Sequence, residues 1–287
     1  MNQLSQVTAV ICTRNSKDSI RQCLDSITKF ISNVIVVDGG STDGTLNIIK
    51  DYKVSLLRDS GSGLGEARNL GVSNVKTKYV LNCGADNVLQ RDLVQAMIKK
   101  IESNEQLFGV SCLTLVADTG YLAGACNSIW KTRFNSGLVP MIGTPNLFRR
   151  EHLVDFGYSN ARGWSDDEDI CFRMREELGA KFEILNESCF EVGQASWRRL
   201  IYRYFHYGYS DFEIFSSRKK GWTFMRKLKS ILHPYRVEFS RPITKLKTTE
   251  KIIYFPVYFS ACLIRYSGWS YRSFLELFQK ISKNNVG

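Results

Sequence analysis

Val36-Val37-Asp38-Gly39-Gly40-Ser41-Thr42-Asp43-Gly44-Thr45 is a β-branched apolar run that ends on an acid, turns through paired glycines and enters a new amphipathic segment. A buried parallel strand leaves this trace in sequence: the run is short and continuously apolar because both faces are covered, and turn-forming residues close it. On either side the same unit recurs. Val7 to Cys12, Val54 to Leu57, Tyr79 to Cys83 and Gly109 to Leu115 read as strands, with Ser16 to Phe30, Thr45 to Tyr52, Gly65 to Val72 and Leu93 to Ile101 as helices between them. Ile20, Leu24 and Ile27 share one face of the first helix. Strands alternating with amphipathic helices predict an α/β fold with a mostly parallel central sheet flanked by helices. Farther on, Gly120, Gly124 and Gly137 interrupt Ala117 to Pro140, which reads as an irregular connection. Asn146 to Arg149 and Lys181 to Leu185 read as strands, and Asp167 to Leu178 and Ser196 to about Phe215 as helices.

The 287 residues carry 39 Lys and Arg against 28 Asp and Glu, and the imbalance is local. Residues 1–197 hold 21 basic and 23 acidic side chains, whereas residues 198–287 hold 18 and 5. A near-neutral body with a basic end argues for a local surface facing phosphates or anionic lipid, and against a chain built throughout for nucleic acid. The 44% hydrophobic content excludes a disordered or collagen-like chain. Eight cysteines, at 12, 23, 83, 112, 126, 171, 189 and 262, form no Cys-x-x-Cys pair and have no His at zinc spacing, so they read as reduced core thiols. The polar start before Val7 lacks the basic and apolar regions of a secretory leader, which predicts a cytoplasmic protein. Ile252 to Ile264, an apolar stretch of 13 residues containing Pro256 and Ser260, falls short of the roughly 20 that a spanning helix needs.

Ligands of an open parallel sheet bind beyond the carboxyl ends of its strands. Asp38 stands there and can accept hydrogen bonds from a base or ribose, while Asp43 reads as a helix N-cap. A dehydrogenase also carries an acid at this point but needs Gly-x-Gly-x-x-Gly after the first strand. Here that turn is Cys12-Thr13-Arg14-Asn15-Ser16-Lys17, without a glycine, and no Walker A sequence occurs. Ser60-Gly61-Ser62-Gly63-Leu64-Gly65-Glu66-Ala67-Arg68-Asn69-Leu70-Gly71 is a glycine-rich loop running into a helix, which can bring N–H groups and Arg68 to a diphosphate. Asp86, just past the Tyr79 to Cys83 strand, can hold a hard divalent ion against phosphate oxygens. Asp166-Asp167-Glu168-Asp169 opens a helix. Acids there contribute about 0.3–1 kcal/mol each against the helix dipole, but four in succession repel one another and exceed what capping requires. Trp164 either stacks on a sugar ring or fills core.

Thr13-Arg14-Asn15, Val37-Asp38-Gly39-Gly40-Ser41-Thr42-Asp43-Gly44-Thr45, Gly65-Glu66-Ala67-Arg68-Asn69-Leu70-Gly71 and the Asp86 strand end cover about residues 7–90, and together they resemble the family 2 glycosyltransferases of the GT-A fold. Gly143 to Arg150 resembles the family's acceptor-side strand, and Gly163 to Arg173 its Glu-Asp-x-Asp-Leu segment. The resemblance implies a Rossmann-like GT-A domain that moves a sugar from a nucleotide-diphosphate sugar to a hydroxyl of a glycan or lipid-linked saccharide, by inverting displacement. It assigns Asp167 as catalytic base, Thr13, Asp38, Arg68 and Asp86 to the donor, and Trp164, Asp166 and Asp169 to the acceptor side. Asp86 with Glu191 would hold Mg2+ or Mn2+. Two departures stand out: the family's Asp-x-Asp is Gly84-Ala85-Asp86 here, and Glu191 occupies the place of its metal-binding His. They leave open a catalytically inactive nucleotide-sugar-binding protein, as the basic end leaves open a membrane-surface interaction protein.

The expected organisation is a transferase domain over 1–215, with a nucleotide-sugar half to residue 115 and an acceptor half from 116, followed by a basic, aromatic, mainly helical extension over 216–287. In that extension Arg218-Lys219-Lys220, Arg226-Lys227 and Lys229 interleave with Trp222, Phe224, Tyr235 and Phe239. Cations paired with aromatics suit an anionic membrane surface, here the inner face of the cell membrane, docked without crossing it. No nucleic acid partner is expected.

Overall fold

The computed structural model describes residues 3–159, 166–193 and 195–284. They divide into two units, one of Met1–Asp118 and Phe134–Gln194, the other of Thr119–Arg133 and Ala195–Gly287.

The first unit begins β1 (Val7–Thr13), α1 (Ile20–Ile27), β2 (Asn33–Asp38), α2 (Thr45–Ile49), β3 (Ser55–Arg58), α3 (Leu64–Ser73), β4 (Tyr79–Gly84), β5 (Asn87–Val88), α4 (Arg91–Glu102) and β6 (Leu107–Val116). After α5 (Tyr121–Arg133), which belongs to the second unit, it resumes with β7 (Gly137–Val139), β8 (Asn146–Arg149), α6 (Arg150–Phe156), α7 (Asp166–Leu178) and β9 (Lys181–Glu191). The strands make one sheet in the order β3-β2-β1-β4-β8-β6-β9-β5, with β7 also paired to β9. Pairing is parallel from β3 to β4 and again between β6 and β9. The inserted β8 runs antiparallel to both its neighbours.

The parallel strands read as unbroken apolar runs because the sheet is covered on both sides. Ala9, Ile11 and Val36 pack with Ile20, Leu24 and Ile27 of α1 and Met97 and Ile101 of α4. Val10 and Val37 face the other way, against Ala67 and Val72 of α3 and the Phe148, Phe182 and Met174 cluster. Gly71 sets the seat of α3. A Cβ there would collide with Val10 and come within 3.2 Å of Val37, so the glycine that ends the Gly-Glu-Ala-Arg-Asn-Leu-Gly motif lets the helix lie directly on β1 and β2.

The second unit adds α8 (Trp197–Arg218), α9 (Phe224–Ile231), a π-helical turn over Tyr235–Ser240, α10 (Arg241–Lys245) and α11 (Thr248–Asn284) to α5. The stretch read from sequence as an irregular connection therefore contains a helix, α5. Its glycines misled for a physical reason: a Cβ on Gly124 would overlap the Tyr254 hydroxyl, so this glycine marks close packing against α11 rather than a break. Helices α8 and α11 cross still closer, since a Cβ on Gly208 would overlap the Arg265 carbonyl and one on Gly268 the Phe205 carbonyl. Beside that crossing Arg265, 2% exposed, grips Asp211 through two bonds of 2.7 and 2.9 Å and also bonds Glu238. Pairing is what makes such buried charges tolerable. Among the described residues no helix is long and apolar enough to cross a membrane. All eight cysteines are free thiols, as their spacing suggested.

Candidate active site

Register brings Thr13 of β1 opposite Asp38 of β2 at the carboxyl end of the sheet. Asp38 is 1% exposed. Its Oδ2 accepts the backbone N–H groups of Gly40 and Ser41, both at 3.0 Å, which shapes the glycine turn. Its Oδ1 and the Thr13 Oγ1 are buried without a hydrogen-bond partner. Leaving such atoms unsatisfied costs about 1–3 kcal/mol each, so both have capacity to bond a polar group that reaches this strand end. Asn15, at a positive φ of 53°, locks the adjoining loops together: its N–H donates to Ser41 Oγ and its Oδ1 accepts from Thr42 N, both at 2.8 Å. The cap residue of α2 is Gly44, not Asp43. Asp43 instead accepts from Thr45 N at 3.0 Å and Lys17 N at 3.1 Å, a structural part close to the one its sequence suggested.

The second half of the site is assembled by Arg68. Its Nη1 donates to Asp166 Oδ2 at 2.7 Å and to Asp167 Oδ1 at 2.8 Å, and Nη2 lies 3.5 Å from Asp167 Oδ2. The guanidinium stands over the Tyr158 ring, 5.0 Å from its centroid. Asn69, the next residue of α3, exchanges bonds with the Tyr158 backbone at 2.7 and 2.8 Å, and Asn82 of β4 donates to the Tyr158 hydroxyl at 3.1 Å. One turn of the glycine-loop helix thus holds both Tyr158 and the start of α7. The charge of Arg68 is taken up by the two carboxylates. Asp169 points elsewhere, to Arg173 at 2.9 Å, whose guanidinium also holds the carbonyls of Phe156 and Gly157. Trp164 lies outside the described residues.

Burial pushes the Asp166 carboxyl up to about 7, with Arg68 pulling it back and Asp167 pushing it further. A carboxyl whose proton is held more tightly in the folded than in the unfolded chain stabilises the fold below its ordinary value of 3.8, and that contribution is lost as pH rises through about 7. Denaturation of the unaltered protein across this window should therefore show a loss of stability with pH that Asp166→Asn flattens. Parallel curves for the two proteins would show that Asp166 is not the titrating group. Burial also pushes the Cys12 thiol of β1 up to about 12, and the charges of Arg68, Asp166 and Asp59 act on it, so the strand end and the acidic cluster share one neighbourhood.

The β5–β9 pairing places the backbones of Asp86 and Glu191 on adjoining segments: Asn87 is opposite Glu191, and the Asp86 carbonyl accepts from Val192 N at 2.7 Å. A Cβ on Gly84 would sit 2.6 Å from Asp86 Oδ1. The missing first acid thus leaves the space into which the Asp86 carboxylate folds. Among the described residues no three His, Cys, Asp or Glu side chains are grouped to hold a metal. Two carboxylates on adjoining strand ends do suit a hard cation that takes its remaining ligands from a diphosphate. Sequence reasoning missed Tyr158, which sits in an irregular stretch with no periodic signal, and gave no role to Asn69 although it lies inside the quoted motif.

Residues 8–123 match the model of glycosyl transferase family 2. The likeness to that family rests on this segment of the chain. Glycosyltransferase GlyA of Streptococcus pneumoniae is 33% identical over 104 residues, which are 33% of this chain and 15% of that one. The succinoglycan biosynthesis protein ExoO of Rhizobium meliloti is 27% identical over 196 residues, 64% of this chain and 56% of that one. The chain therefore spans only part of the curated relatives it matches. The mannosyltransferase PcManGT of Pyrobaculum calidifontis, solved with GDP-Man and Mn2+, shares the fold at a TM-score of 0.66 and 18% identity, over 96% of this chain and 88% of that one. The chain thus has the GT-A fold that its sequence led us to expect, and Thr13 and Asp38, singled out from sequence, lie at the carboxyl edge of its sheet.

Proposed function

We propose that this chain transfers a sugar from a nucleotide-diphosphate sugar to an acceptor hydroxyl with inversion at the anomeric carbon. The observation that carries the reading is the grip of Arg68 on Asp166 and Asp167, which joins the glycine-loop helix of the donor side to the acid-rich helix of the acceptor side. Thr13 and Asp38 would take polar groups of the nucleoside, satisfying their orphaned oxygens, with Arg68 completing the donor side. Asp167 would be the base. Its Oδ1 is engaged at 2.8 Å, whereas Oδ2 meets Arg68 only at 3.5 Å, the outer limit of a hydrogen bond, so Oδ2 is the oxygen with capacity to accept a proton. As the acceptor oxygen bonds to the anomeric carbon, its proton passes to Asp167. The bond from that carbon to the diphosphate oxygen breaks with its electron pair leaving on the diphosphate. Asp166 and Asp169 would shape the acceptor side, and Trp164 belongs to the same reading.

Asp86 and Glu191 would hold Mg2+ or Mn2+, a reading supported by the Mn2+ bound in PcManGT. The cation would stabilise negative charge developing on the leaving diphosphate. With only two protein carboxylates, metal affinity without nucleotide should be weak. Asp86→Ala should abolish the metal-dependent part of donor binding in calorimetry, and equal donor affinity with Mn2+ and with chelator in the unaltered protein would retire the metal. The acceptor is read as a glycan or lipid-linked saccharide met at the cytoplasmic inner face of an anionic membrane. Turnover of UDP-, GDP- or dTDP-sugars tests the whole, since no turnover with any donor would favour an inactive binding protein.

A further inference from the structure

Helix α9 buries none of its residues. Phe224 is 76% exposed and Met225 57%, and Leu228, Ile231 and Leu232 follow them around the same side of the helix, also exposed. Arg226, Lys227 and Lys229 fill the remaining arc. The apolar side does not stop at the end of the helix. Tyr235 meets Phe239 at 5.8 Å, and Phe239 meets Phe255 at 5.6 Å and Phe259 at 6.4 Å. Tyr235, Phe255 and Phe259 are all exposed, and Ile252 and Leu263 extend the strip along α11. The Tyr266 hydroxyl donates to the Ile231 carbonyl at 3.0 Å, which ties the end of α9 to the middle of α11.

Charge is sorted in the same unit. Residues 214–237 contain seven Lys and Arg and no Asp or Glu. The five acids of residues 198–287 are engaged within the unit: Asp211 and Glu238 by Arg265, Glu213 by Arg272 at 3.2 Å, Glu276 by Ser216 and Glu250 by Lys247 N. The positive excess is therefore not cancelled around α9. A short helix with one apolar side and cations beside it is the form that lies in the headgroup layer of a bilayer.

We infer that α9 and the Tyr235-Phe239-Phe255-Phe259 ladder seat this unit in the headgroup layer of an anionic bilayer. The inference rests on the membrane-borne acceptor of the proposed function for its purpose, not for its geometry. A nucleic acid would answer the cations but leave Phe224 and Met225 in water. A second copy would cover the apolar strip but set two basic surfaces against each other.

The test uses the full chain and vesicles of phosphatidylglycerol with phosphatidylcholine in equal parts, against phosphatidylcholine alone. Co-sedimentation should need the anionic lipid and weaken with salt. Phe224→Asp with Met225→Asp should lower partitioning by roughly tenfold or more, as should Arg226→Glu with Lys227→Glu and Lys229→Glu. Because Phe224 and Met225 are the most exposed apolar side chains of α9, the Asp variant should melt close to the unaltered protein. Equal binding to the neutral vesicles, or unchanged binding by the Asp variant together with competition by duplex DNA, would overturn the inference. So would a dimer that the Asp variant disperses in a protein that ignores vesicles. Turnover on a soluble acceptor without lipid, measured beside these, reports the transferase reading separately.

Discussion

Asp167→Asn is expected to slow sugar turnover by ~100-fold or more while leaving donor affinity little altered, which is the signature of losing a general base. The substitution keeps the volume of the side chain. An amide oxygen at the Oδ1 position still accepts from Arg68 Nη1, and Asp166 remains as the second partner of the guanidinium, so the junction between α3 and α7 should hold. What is lost is the capacity of Oδ2 to take the acceptor proton. Donor contacts assigned to Thr13 and Asp38 come from other strands, so calorimetry with the nucleotide sugar separates binding from chemistry. Turnover retained in Asp167→Asn would pass the role of base to Asp166 or Asp169. Of these Asp166 is the poorer placed, because it is buried against Arg68, and Asp169 is tied to Arg173.

The parallel half of the sheet was legible because its strands are covered on both faces and so leave unbroken runs such as Val34 to Val37. Strand ends were legible too, since an acid followed by paired glycines can only be a turn, and that turn sits where parallel sheets bind ligands. Side-chain direction was not. Strand and helix order put Arg68 at the rim of the crevice, but only the fold reveals that its guanidinium also holds Asp166 and Asp167. The gap at Gly84 read as a missing metal ligand; in three dimensions it is also the space into which Asp86 folds. In the second unit glycine signals inverted their usual meaning, since Gly124, Gly208 and Gly268 sit inside helices where neighbouring chains approach too closely for a Cβ.

Those contacts make Gly208→Ala and Gly268→Ala the most damaging single-methyl changes expected in the second unit. The obstructing atoms are the backbone carbonyls of Arg265 and Phe205, not the far ends of flexible side chains, so relief requires α8 and α11 to move apart. Separation would loosen the bonds between Arg265 and Asp211, and with them the burial of Glu238. Overpacking of this kind costs about 1–3 kcal/mol, and an immovable obstacle puts these sites at the upper end. Gly221→Ala is the control, because nothing lies within 4 Å of a Cβ there. Four of the five tryptophans, Trp130, Trp197, Trp222 and Trp269, belong to this unit, so tryptophan emission during urea unfolding reports mainly on it. The midpoint should fall well below that of the control for both crossing variants. Nucleotide-sugar binding, assigned to residues of the first unit, should persist after that emission has changed. Coincident unfolding curves for Gly208→Ala and Gly221→Ala would mean that the helices are held by the Arg265 cluster alone and not by the close crossing of their backbones.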